Sequence, residues 1–82
     1  MAIKLEKETR KRLIASIRKY AAENFEEEMG ELKAGLLLDY CLKEIGPCVY
    51  NRAIADAQGY LQERVSDLEG ACYEPEFPYW KP

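Results

Sequence analysis

Glu44-Ile-Gly-Pro-Cys-Val-Tyr-Asn51 decides how this chain divides. Glycine just past a helix relaxes its last turn. Proline lacks the N–H that a helix interior needs, yet fits a helix's first turn. Gly46-Pro47 therefore predicts that one helix stops and another starts. A break this short forces the two into neighbouring contact, antiparallel or steeply crossed. Upstream, Leu32, Leu36, Leu37, Tyr40, Cys41 and Ile45 cover well over half the circumference of a helix over residues 30–45, which predicts a largely buried element. Downstream, Tyr50, Ile54, Ala57, Leu61, Val65 and Leu68 form one continuous stripe on a helix over residues 47–69. Ala53 and Ala57 lie on one side of it, Ala55 and Gly59 nearly opposite, so a neighbour can approach from both sides. Gly70 is expected to end that helix.

Toward the N-terminus, Leu13, Ile14, Ile17, Tyr20 and Ala21 mark a helix over residues 7–24, with Arg10, Lys11, Arg18 and Lys19 largely on its other side. Asn24 is suited to end that helix or to cap the next. Glu26, Glu27 and Glu28 stand just ahead of the second helix, where free N–H groups and the helix dipole favour negative charge. Ala2-Ile-Lys-Leu5 alternates apolar and polar residues, the pattern of a short strand. The expected fold is all-α: a compact three-helix domain, preceded by this short strand, with residues 71–82 packed over the helices.

That last segment, Tyr73-Glu-Pro-Glu-Phe-Pro-Tyr-Trp-Lys-Pro82, holds four of the nine aromatic side chains and three of the four prolines. Proline bars it from a helix interior or a central strand, so it should run extended, near polyproline II. Tyr73, Phe77, Tyr79 and Trp80 left in water would form a sticky patch, so the tail is expected to dock. Its own helices, a second copy and a separate protein are the three candidate receptors.

Eighty-two residues make one small domain, short enough that an oligomer is the natural way to complete a core. An apolar fraction of 48% with 33% charged residues describes an ordinary folded chain rather than a disordered one. No apolar run approaches the roughly 20 residues needed to cross a bilayer, and no signal-peptide core follows Met1, so a cytoplasmic, non-membrane protein is expected. Charge is segregated. Residues 1–19 carry seven basic and two acidic side chains (+5), the rest five basic and thirteen acidic (−8), giving the net −3.

Enzyme chemistry is hard to assemble here. There is no histidine, and so neither the commonest general base nor the commonest metal ligand. No glycine-rich loop offers a phosphate cradle. Cys41, Cys48 and Cys72 have no metal or redox spacing and read as small, reduced, core-filling side chains. Asp39, between Leu38 and Tyr40, is the one acid in an apolar setting. It reads as a solvent-edge residue or as a partner for Arg52, Tyr50 or Asn51 across the Gly-Pro turn. The expectation is a non-enzyme without cofactor or metal.

A short strand followed by two helices is also the element order of ribbon-helix-helix DNA-binding proteins, whose paired strands read the major groove. In that reading Lys4 faces the bases, while Lys7, Arg10, Lys11 and Arg18 contribute phosphate contacts. Against it stand a strand with one good base-reading side chain and the Glu26–Glu28 run, which would repel phosphate at the second helix N-terminus.

Glu44-Ile-Gly-Pro-Cys-Val-Tyr-Asn-Arg-Ala-Ile-Ala-Asp-Ala-Gln58, with Leu36-Leu-Leu-Asp-Tyr40 and Tyr73-Glu-Pro-Glu-Phe-Pro-Tyr-Trp80, resembles a small bacterial family, domain of unknown function 2164. The likeness covers nearly the whole chain, and Gly46-Pro47 with Tyr50-Asn51 is its most distinctive part. The resemblance implies a stand-alone bacterial cytoplasmic protein. It brings no established activity, cofactor or catalytic residue. The reading is a non-enzymatic homodimeric interaction module whose docking surface is Tyr73, Phe77, Tyr79 and Trp80. A DNA-binding protein is the alternative.

Overall fold

A computed structural model describes residues 3–80. In chain order they form α1 (Lys7–Asn24), α2 (Glu31–Tyr40), a π-helical turn (Cys41–Ile45) and α3 (Gly46–Ala71). The chain divides into two units, Met1–Asn51 and Arg52–Pro82. No helix among the described residues is long and apolar enough to cross a membrane.

The first unit is a helical hairpin. Arg10, Ile14, Ile17 and Ala21, spaced four, three and four apart, put one face of α1 against Ala34, Gly35 and Leu38 of α2. Small residues set the closeness of the approach. Ala21 and Ala34 are 1% and 0% exposed, and Leu38, at 5%, is the one large side chain buried with them. Two bonds fix the antiparallel register: the Arg18 Nε donates to the Met29 carbonyl at 3.1 Å, and Arg10 reaches Asp39 at the other end. Asn24 closes α1 by donating from Nδ2 to the Tyr20 carbonyl at 2.9 Å, and the Phe25 N–H bonds back to Ala21. The Phe25 ring packs edge-on against Tyr20 at 6.1 Å, which turns the chain toward α2.

Gly46-Pro47 does not separate two helices. Gly46 sits at φ −52°, ψ −47°, right-handed helical, and α2 passes into α3 through the π turn. The Gly46 N–H bonds to the Cys41 carbonyl five residues back. One extra residue per turn widens the helix where the Pro47 ring would otherwise strike the carbonyl four positions earlier and where its N–H is missing. Glycine is needed for space here, not for backbone freedom. A Cβ at position 46 would lie 3.0 Å from the Ile3 Cδ1 atom, so the Ile3 side chain lies against the turn.

Several expectations are therefore corrected. The protein is not a compact three-helix domain: α2 and α3 form one continuous helical stretch, and the fully buried hydrophobic set is Ala21, Ala34 and Leu38 among the described residues. No strand forms among the described residues. Ile3–Glu6 is irregular, and Ala2 lies outside them. The second helix is not largely buried, since Leu32, Leu36, Tyr40 and Ile45 are exposed. Cys48 and Cys72 are exposed rather than core-filling, and Cys41 is half-buried.

In the second unit, α3 continues through Gly59 and Gly70, neither with positive φ, to Ala71. The Cys72 N–H returns to the Leu68 carbonyl at 2.8 Å and ends it. The tail is not packed over the helices. Tyr73, Phe77, Tyr79 and Trp80 are 67–88% exposed. Nor is it uniformly extended: Phe77 takes φ 55°, a left-handed value that costs a non-glycine residue about 1–2 kcal/mol. Past that kink, the Tyr79 and Trp80 rings stack edge-on with centroids 4.6 Å apart. Lys81 and Pro82 lie outside the described residues.

Candidate interaction site

Two features of the hairpin unit and one of the α3–tail unit stand out. Between α1 and α2 runs an open cleft of about 690 Å³. Its floor is apolar, made by Ile14, Leu36 and the Gly35 backbone, and Lys7, Lys11 and Arg18 stand along its rim. The helical period explains the rim. Positions 7, 11 and 18 lie on one side of α1, one step round from the buried Arg10–Ile14–Ile17–Ala21 face.

Arg10 closes one end. Its Nη1 donates to Asp39 Oδ1 at 2.8 Å, and Nη2 stands 3.5 Å from the Gly35 carbonyl. The guanidinium lies over the Gly35 backbone, where an added Cβ would meet Nη2 at 3.7 Å, an ordinary van der Waals contact. The pair also borders a second cleft of about 550 Å³, lined by Ile3, Lys4, Leu42, Lys43 and Pro47.

Of the five residues expected to contact nucleic acid, the structure groups Lys7, Arg10, Lys11 and Arg18 along the first cleft and leaves Lys4 at the second. Arg10 is not on the solvent side of α1 but on its inner face. Asp39 pairs with Arg10, and not with Arg52, Tyr50 or Asn51. Arg52 instead bonds Asp56 one turn on, at 3.1 Å. No local signal joins two residues 29 positions apart. The apolar pattern of α1 places Arg10 on its other side, so it gives no hint that the two would meet. A nucleic-acid reading thus loses its strand and one of its cations. Among the described residues no three side chains of the metal-ligating types cluster.

In the α3–tail unit, Ile54, Leu61, Val65 and Leu68 are each more than half exposed and follow one line along α3. A shallow groove of Ile54, Ala57, Leu61 and Val65, edged by Gln58, Gln62 and Ser66, runs along it. The opposite side carries Arg52, Asp56, Gly59, Glu63 and Asp67, an ordinary solvent face. Every residue from Pro47 to Trp80 is exposed, so the tail rings and this stripe are surfaces presented by the same chain.

No curated protein matches the chain, and no solved structure does either. One family model does match, over residues 3–76, from the irregular N-terminal segment through both helical stretches and into the tail. The chain belongs to that family, described as "Uncharacterized conserved protein (DUF2164)".

Proposed function

We propose that this protein is a non-enzymatic interaction module that works as a homodimer, its two copies joined along α3. The observation that carries the reading is the exposed stripe. Tyr50, Ile54, Ala57, Leu61, Val65, Leu68 and Cys72 are spaced four, three, four, four, three and four apart, two eleven-residue repeats meeting at Leu61. Eleven residues in three turns is 3.67 per turn, close to the natural helical period, so the stripe stays straight enough to pair along its full length.

The area supports a partner of this size. The chain exposes 7913 Å². A folded monomer of 9.5 kDa exposes about 5,000 Å². The excess is about 2,900 Å² per chain, or about 5,800 Å² for a pair, at the upper end of what large obligate homodimers bury in total, about 2,000–5,000 Å² and above. An antiparallel pair centred on Leu61 sets Ala57 against Val65 and Ile54 against Leu68, small against branched and large against large. It also leaves the Arg52–Asp56 face in water.

The lack of histidine and the engagement of Asp39 by Arg10 favour a non-enzyme. Leu61→Asp tests the module directly. It should halve the solution mass while the Gly59→Ala control on the opposite face keeps it. Equal masses for Leu61→Asp and the unaltered chain would defeat the reading.

A further inference from the structure

We propose that the α1–α2 cleft is the receptor for the C-terminal tail of a second copy, residues Tyr73–Trp80. The proposal deepens the dimer reading and rests on it for the identity of the occupant.

Charge is the first argument. Lys7, Lys11 and Arg18 face Glu31 at the cleft, and Arg10 and Asp39 neutralise each other, which leaves two positive charges uncompensated. The tail brings two carboxylates, Glu74 and Glu76, between its rings. Chemistry of surface is the second. The cleft floor is apolar and open, and the tail is proline-rich with four exposed aromatic rings. Proline restricts the backbone of such a segment, which lowers the entropy lost when it docks, although the Phe77 kink means it is not uniformly extended. The Tyr79–Trp80 edge-on pair forms a ready wedge for the floor, and the rim cations can lie over ring faces.

Trp80 is the only tryptophan, so the full chain carries its own reporter. Its emission and iodide quenching are to be read on the unaltered protein, on Lys7→Glu/Lys11→Glu, and on that variant with Glu74→Lys/Glu76→Lys added, with mass and helix content measured alongside. The expected result is a shielded, short-wavelength Trp80 in the unaltered dimer. The rim reversal should shift emission to the wavelength of free indole without changing mass or helix content, and the tail reversal should restore it. A Trp80 that is free in the unaltered protein, or indifferent to the rim reversal, overturns the proposal even if the mass is that of a dimer. A monomeric mass overturns the dimer reading instead. Mixing Lys7→Glu/Lys11→Glu with Trp80→Phe settles the occupant. Recovered shielding shows the tail in the other copy's intact cleft, whereas no recovery assigns it to its own chain and overturns the second-copy assignment.

Discussion

The Arg10 guanidinium donates to the Asp39 carboxylate at 2.8 Å, joining the start of α1 to the end of α2 across 29 positions of sequence. Both side chains remain partly open to solvent, 35% and 45% exposed, so water screens much of the attraction. The pair fixes register more than it adds stability. Asp39→Asn should cost about 0.5–1 kcal/mol in chemical denaturation, and a double-mutant cycle with Arg10→Met should return a coupling of about 0.5 kcal/mol. A coupling of zero would show that the hairpin register is held by Ala21, Ala34 and Leu38 alone.

Gly46 and Ile3 form the next testable contact. Position 46 is right-handed helical, so alanine there gains about 0.8–1 kcal/mol of helix propensity over glycine. Against that gain stands the Ile3 Cδ1 atom, 3.0 Å from the added Cβ. Gly46→Ala should stabilise more on an Ile3→Ala background than alone, as read from melting temperatures. Equal gains in both backgrounds would mean that Ile3 does not press on the turn.

Gly59 faces away from the Ile54–Leu68 stripe, and a Cβ there meets nothing within 4 Å. Gly59→Ala should therefore raise stability by roughly 0.8–1 kcal/mol and leave the solution mass unchanged. A fall in mass would place the contact between copies on the wrong side of α3.

These glycines show where the sequence was legible and where it was not. The apolar spacing that predicts a helix over residues 7–24 is the spacing α1 uses, shifted by one step, so that Arg10 turns inward while Leu13 and Tyr20 turn out. Asn24 announced the end of that helix through its own side chain, a local bond that a local reading can find. Gly46-Pro47 carried an equally strong local signal, for a break, and the break does not occur. A π turn absorbs the proline, and a residue more than forty positions away occupies the space the glycine leaves. Neither is written in the neighbouring residues. Composition singled out the tail rings but predicted them packed over the helices, whereas they stand exposed. The cleft could not be read at all, because its rim and floor come from two helices whose register depends on the distant Arg10–Asp39 pair.

The antiparallel register of α3 makes a sharp cross-linking prediction. In a Cys48→Ser/Cys72→Ser background, Leu61→Cys lies on the two-fold axis and should form a disulfide-linked dimer on mild oxidation. Leu68→Cys faces Ile54 of the other copy, so it should not. Linkage at both positions would indicate parallel helices instead.

The central claim is that one chain leaves α3 uncovered and a second chain covers it. Light scattering on the unaltered protein across a dilution series tests this most directly. The account predicts twice the mass of the 9.5 kDa chain, held down to low concentration. A single-chain mass throughout, with helix content intact, would contradict it.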